Sequence, residues 1–280
     1  MAEPSPITAE EFRRLGDFLY RRTGMVFPEA KRYFVERRLA ERMTAVGAGS
    51  FAAYFARLRA GACGEVEQLI NAFTVNETYL YREEHQLRCL TSSLLPERLQ
   101  PGRPIRIWSV PCSTGEEPYS IAIWLLENWP AVDDYEVEII GSDIDTQALQ
   151  AARDGVFGQR AFMRLPEPLA DKYFESPVDG RRRAVEGLRE SVAFSSVNLV
   201  DPAQTRAHGR FDVIFCRNVL IYFDDASRRL AAENLYENLL PGGFICLGHS
   251  ESMSRISPLF EVRRYADAIV YRRPPAPAHG

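Results

Sequence analysis

The residues best suited to chemistry stand at three abrupt strand ends. Ile105 to Pro118 reads IRIWSVPCSTGEEP, EIIGSDID ends at Asp145, and FDVIFCRNVLIYF ends at Phe223. Each is a β-branched or aromatic run that stops in small, polar or acidic residues. That is the pattern of parallel strands whose carboxyl ends open into a binding crevice for a nucleotide-type cofactor.

Ser113 and Thr114 lie three residues before Glu116 and Glu117, the spacing of a capping box opening a helix near Tyr119. Gly115 there lets a ligand approach the helix start. No G-x-G-x-x-G is present, and two carboxylates would repel a pyrophosphate in a low-dielectric site. Glu116 and Glu117 therefore favour a cofactor with positive charge and no phosphate, a requirement that S-adenosylmethionine meets with its sulfonium and ammonium groups. Asp143, ending the second run, can accept hydrogen bonds from both ribose hydroxyls. Asp145 is the better N-cap for a helix from Thr146. Arg217 and Asn218, after the third run, would sit beside the same crevice.

The elements that must position these groups fall into two units. Up to about residue 90 the apolar positions recur at helical intervals (Phe12, Leu15, Leu19; Val35, Leu39, Met43), so an all-helical domain is expected over 1–90. Residues 91–104, ending in LPERLQPGRP, read as a linker because proline and glycine break helices. From 105 to 273 short strands (Ile105–Val110, Val137–Ser142, Val192–Val197, Asp212–Cys216, Phe244–Leu247) alternate with helical patterns at Tyr119–Leu126, Thr146–Arg153 and Ala226–Leu240. This predicts an α/β fold with a doubly wound, mostly parallel sheet. Asp224 and Asp225 are candidate N-caps for the last helix, and Pro241-Gly242-Gly243 is read as its stop. Residues 176–191, with a PVDG turn, are expected to form a small antiparallel β insertion, and 274–280 a disordered tail.

Bulk properties narrow the function. The chain has 280 residues, 46% hydrophobic and 26% charged, with a formal net charge of -4, so a dedicated nucleic-acid binder is not expected. Five scattered cysteines lack a C-x-x-C spacing, and the four histidines show no ligand spacing, so neither a disulfide framework nor a metal site is expected. No secretion signal or membrane-spanning run is visible, which points to a reducing cytoplasm without membrane insertion and removes Asn76-Glu77-Thr78 as a glycosylation site.

Taken together, the motifs resemble the CheR-type chemotaxis receptor methyltransferases: N-E-T-x3-R at Asn76, Thr78 and Arg82; STGEEPYSIA at Ser113 to Ala122; SDID at Ser142 to Asp145; FSSVNL at Phe194 to Leu199; FCRNVLIYF at Phe215 to Phe223; and GHSES at Gly248 to Ser252. The resemblance spans nearly the whole chain. It implies a fold of the S-adenosylmethionine-dependent type and transfer of a methyl group to glutamate side chains on receptor signalling helices, leaving S-adenosylhomocysteine. It further implies cofactor contacts from Asn76, Thr78, Arg82, Glu117, Asp143, Asn198, Leu199, Arg217 and Asn218, and places Arg82 and Tyr222 near the reacting groups.

A glutamate carboxylate, with an ordinary pKa near ~4.3, is already ionised at neutral pH, so this reaction needs no general base. Its demand is alignment, with Arg82 and the Tyr222 hydroxyl orienting the acceptor. On a helix beginning near Pro28, Lys31, Arg38 and Arg42 fall on one face, a candidate dock for an acidic, glutamate-bearing receptor bundle in the cytoplasm. Glu36 and Glu41 on the same helix allow the plainer reading of a solvated face. The family's β subdomain binds a receptor C-terminal tether in some members, but the insertion here is short, so recognition without a tether is expected. A dinucleotide oxidoreductase and a non-catalytic cofactor-sensing module are the rival classes.

Overall fold

The computed structural model describes residues 7–61 and 64–276. Its N-terminal helices are α1 (Ala9–Thr23), α2 (Arg32–Ala45), α3 (Phe51–Arg59) and α4 (Glu65–Phe73). Thr8 and Glu11 form a reciprocal capping box at the start of α1, and Gly24 ends it in the left-handed conformation. A side chain at Gly24 would meet Val200 at 2.8 Å, so glycine there allows α1 to close onto the larger unit. The periodic residues Phe12, Leu15, Leu19, Val35, Leu39 and Met43 are all buried, in one core with Phe51, Tyr54, Leu69 and Phe73.

Beyond α5 (Glu84–Cys89) the chain builds β1 (Ile105–Ser109), α6 (Glu116–Asn128), β2 (Val137–Asp143), α7 (Thr146–Asp154), β3 (Val156–Gly158), α8 (Glu167–Tyr173), β4 (Arg181–Arg183) and α9 (Glu186–Glu190). It continues through β5 (Val192–Ser196), α10 (Pro202–Arg206), β6 (Phe211–Cys216), α11 (Asp225–Glu237), β7 (Leu239–Leu247), β8 (Glu261–Arg264) and β9 (Ile269–Arg272). The main sheet runs β5-β2-β1-β6-β7-β9-β8. β5, β2, β1, β6 and β7 are parallel, and β9 and β8 close the edge antiparallel. The order reverses between β1 and β6, so the crevice opens at their carboxyl ends. Helices cover both faces, as the separate clusters around Ile107, Tyr119 and Phe215 and around Trp108, Ile214 and Leu235 record.

Four expectations are corrected. The segment read as a linker is neither extended nor loose: residues 90–94 continue the helix, Leu90, Leu94 and Leu95 are buried, and Arg98 and Arg103 reach the fully buried Asp212 at 3.0 and 2.6 Å. A buried carboxylate demands such partners. Pro241-Gly242-Gly243 does not stop a helix; α11 ends at Glu237, and the triplet lies inside β7 where the register shifts. A side chain at Gly243 would sit 2.9–3.1 Å from three backbone oxygens, so close backbone approach selects glycine at this bulge. Third, the expected small antiparallel sheet is present but its bounds differ: it pairs β4, inside 176–191, with β3, which precedes that segment, while Glu186–Glu190 is helical. Fourth, no capping box opens α6: Gly115 is its N-cap in the left-handed conformation, without a side-chain hydrogen bond. The Asp145 and Asp224 caps do form. The tail falls largely outside the described residues.

Candidate active site

Two adjoining cavities lie along the carboxyl ends of β1, β2 and β6 and share Val75, Pro111, Ser113 and Asn218. Asn76, Asp143, Asn198, Leu199, Asn218 and Tyr222 line one; Thr78, Arg82, Glu117, Arg217 and Asn218 line the other. All of the expected cofactor residues and both expected catalytic residues thus meet in one crevice, drawn from segments as distant as residues 76 and 222.

Asp143 ends β2 with its carboxylate buried. The Asp145 and Ser113 N–H groups donate to it at 2.9 and 2.8 Å. Burial pushes its pKa up to about 6, against the pull of those donors. A carboxylate has about four lone-pair sites, so acceptor capacity remains for the two hydroxyls of a ribose. Val110, Val197, Leu199 and Phe223 line the same cavity, apolar walls suited to a flat heterocycle.

At the other end Arg217 donates to Glu117 at 2.8 Å and lies 3.3 Å from Glu83. Ser109 donates to the second Glu117 oxygen at 2.7 Å. An acid and a guanidinium side by side suit a zwitterionic amino-acid group, with Glu117 facing the ammonium and Arg217 the carboxylate. This revises the charge argument from sequence. Glu117 is already neutralised by Arg217, whereas Glu116 is buried beside Thr114 at 2.6 Å, away from both cavity linings, and burial raises its pKa.

The strap over the crevice is the N-E-T segment. Asp145 holds it, since its Oδ2 accepts from both Asn76 and Thr74 while its Oδ1 caps α7. The Ser113 hydroxyl donates to the Asn76 side-chain oxygen Oδ1 at 2.9 Å. Val75 lines both cofactor cavities and also an outer groove between α2, α4 and α7, so it stands as the partition between them.

Arg82 donates to the Glu77 carbonyl at 2.8 Å and lies over the Tyr79 ring. Its chain neighbours Glu83 and Glu84 pair elsewhere, with Arg217 and Arg88. Tyr222 is held through its backbone, whose carbonyl accepts from Val26 of the N-terminal unit at 2.9 Å. Burial raises the pKa of its hydroxyl, Glu77 adds to this, and the charge of nearby Arg82 opposes it. Asn198 commits its side-chain amide to the Arg22 carbonyl at 2.5 Å, joining β5's end to the end of α1.

The basic face of α2 is not as spacing suggested. Lys31 ends a 3-10 turn and stands as the N-cap of α2, ahead of the helix that carries Arg38 and Arg42. Arg42 makes a bidentate pair with Glu65 at 2.7 and 3.1 Å, and the Tyr54 hydroxyl donates to Glu65 at 2.6 Å. Arg38 pairs with Glu41 at 3.2 Å and, with Arg42, lines the outer groove. Sequence reasoning missed Ser109, Glu83 and the strap anchor Asp145 as site-shaping groups: Glu83 and Asp145 act on residues far away in the chain, and Ser109 reads as an ordinary strand residue until β1 and α6 bring it to Glu117.

A doubly wound sheet with a buried acid suited to a ribose diol at one end of its crevice and an acid–guanidinium pair suited to a zwitterion at the other fits a nucleoside-cofactor enzyme of the S-adenosylmethionine-dependent methyltransferase class. Comparison with known families agrees: the S-adenosylmethionine-binding domain of CheR methyltransferases matches residues 76–269, and the all-alpha domain of the same family matches residues 10–74. The chain belongs to the CheR methyltransferase family. Chemotaxis protein methyltransferase 2 of Vibrio cholerae is 49% identical to it over 271 residues, 96% of this chain and 94% of the relative. Chemotaxis protein methyltransferase 2 of Pseudomonas aeruginosa is 40% identical, over 91% of this chain and 94% of the relative. The chemotaxis protein methyltransferase of Salmonella typhimurium is 36% identical, over 94% and 91%. Among the described residues no helix is long and apolar enough to cross a membrane.

Proposed function

We propose that this enzyme transfers a methyl group from S-adenosylmethionine to glutamate carboxylates on the cytoplasmic helical bundle of chemoreceptors, forming methyl esters. The observation that carries the reading is the convergence of Asn76, Thr78, Arg82, Glu117, Asp143, Asn198, Leu199, Arg217, Asn218 and Tyr222 on two adjoining cavities. Bound there, the cofactor supplies an electrophilic methyl on a sulfonium. Asp143 accepts from its ribose, and Glu117 with Arg217 holds its amino-acid end. The acceptor arrives already ionised, so the protein has no proton to remove. Arg82 and Tyr222 orient that carboxylate at the mouth, where alignment of the reacting atoms supplies on the order of 7–11 kcal/mol. Tight pairing of Arg82 with the acceptor would favour the charged ground state over a charge-spread transition state, so its role is orientation.

The helical N-terminal unit docks the receptor through Lys31 and Arg38, while Arg42 supports the unit through Glu65. The sheet formed by β3 and β4, of three residues each, is small, and we take recognition to be independent of a receptor tether. Esterification removes one negative charge from a signalling helix and shifts a bundle poised between two states.

The test is transfer of labelled methyl from S-adenosylmethionine to purified receptor cytoplasmic fragments, read as base-labile methanol. Carboxyl esters hydrolyse in base and methylated nitrogen does not. Base-labile label on the fragments is expected; base-stable label, or none, would reject glutamate as the acceptor.

A further inference from the structure

The motif GHSES follows β7 and touches neither end of the cofactor crevice directly, yet its acid is wired into it. Glu251 Oε2 accepts from the N–H groups of Asn218 at 2.8 Å and Gly248 at 3.0 Å, and Oε1 accepts from the Leu220 N–H at 2.8 Å. One buried carboxylate therefore ties the loop after β6 to the loop after β7 through backbone amides. Amide dipoles converging in this way form a nest for an anion.

The loop so held needs holding. Asn218 sits at φ +58°, a left-handed conformation uncommon outside glycine. It is flanked by Arg217 and by the turn Leu220–Tyr222, which carries the Tyr222 hydroxyl. Gly248 supplies a second, independent sign of tight construction. A side chain there would lie 2.7 Å from Asn218 Nδ2 and 2.9 Å from Glu251 Oε2.

We propose that Glu251 is a positioning residue for methyl transfer: it fixes the Arg217–Tyr222 loop so that Asn218 meets the cofactor and Tyr222 meets the acceptor. This rests on the reading of Asn218 and Tyr222 as site residues. Glutamine at 251 keeps the shape but turns an NH2 group toward backbone donors, and alanine at 248 presses on the same brace from the other side without touching the charge.

The experiment compares Glu251→Gln, Gly248→Ala and Tyr222→Phe in the full-length enzyme. It measures S-adenosylhomocysteine affinity by calorimetry, and kcat and receptor KM on the folded fraction. Glu251→Gln and Gly248→Ala are expected to weaken product binding and lower kcat by about tenfold each while receptor KM stays within about twofold. A role confined to stability would lower the melting temperature and leave those constants unchanged, which overturns the proposal. If Glu251→Gln does not fold, Gly248→Ala decides alone. Normal turnover in Glu251→Gln and Gly248→Ala, with loss in Tyr222→Phe, rejects the brace and leaves the site reading standing. Normal turnover in all three rejects both.

Discussion

Arg217, after β6, donates to Glu117, in the first turn of α6, at 2.8 Å across the crevice floor, and the two side chains are only 4% and 13% exposed. Removing one partner of a buried pair strands the other charge at a cost of about 3–5 kcal/mol. Glu83 still faces Arg217 when Glu117 is lost, whereas loss of Arg217 takes the guanidinium from two acids at once, leaving Glu83 with His249 and Gln86 and Glu117 with Ser109. Arg217→Ala is therefore expected to lower stability in urea unfolding more than Glu117→Gln does. Both variants should weaken S-adenosylhomocysteine binding. A larger stability loss from Glu117→Gln would show that Glu83 does not share the pairing.

Asp143 gives the site a pH dependence. Its pKa stands at about 6 in the folded protein, against an ordinary 3.8, because burial disfavours the charged form. For an acid raised in this way the contribution to stability is full below the ordinary value and is lost as pH rises through about 6. Binding runs the opposite way, since the ionised carboxylate is the better acceptor for two hydroxyls. Product affinity measured by calorimetry should fall as pH drops below about 6 in the native enzyme. In Asp143→Asn it should be weaker throughout and flatter with pH. An unchanged slope in that variant would assign the dependence to another group.

What could be read from sequence followed burial. The strands at Ile105–Ser109 and Phe211–Cys216 are covered on both faces, so they read as continuous apolar runs. β3 has only three residues, and β8 is mostly polar and exposed, so neither carries a pattern strong enough to find. Pro241-Gly242-Gly243 misled because composition announces a break, while the break here is a bulge set by packing against Asp212 and Phe211. The candidate site residues that share the crevice stand in the motifs. Their couplings do not: Asp145 holding Asn76, and Glu65 engaging Arg42, depend on contacts that no local spacing encodes.

Arg42 and Arg38 separate docking from stability. For Glu65, burial alone raises the pKa, but the Arg42 guanidinium and the Tyr54 hydroxyl outweigh it and bring it below the ordinary range. A lowered acid adds stability that is present above its ordinary pKa and lost as pH falls through the folded value. Arg42→Ala should cost on the order of 3 kcal/mol near neutral pH, less in acid, with receptor KM little changed. Reversal of Lys31 and Arg38 to glutamate should do the opposite, raising receptor KM with an unchanged unfolding midpoint. If KM is unmoved by the double reversal, the basic patch is a solvated face.

Arg82 and Tyr222 carry the sharpest kinetic expectation. Both are partly exposed, neither supports the core, and Tyr222 is anchored through its carbonyl to Val26, so replacing their side-chain tips should leave the melting temperature nearly unchanged. If they orient the acceptor, Arg82→Ala and Tyr222→Phe should lower kcat by about 10- to 100-fold, an effect of misalignment rather than of lost binding. Because Arg82 also borders the cofactor cavity, its variant should additionally weaken S-adenosylhomocysteine binding, while Tyr222→Phe should leave that affinity within about twofold. Arg82 lowers the pKa of the Tyr222 hydroxyl, so the two act on one region, and the double variant should lose less than the product of the single losses. Full multiplication of the losses, measured as kcat on the same receptor fragment, would show that the two residues serve separate steps.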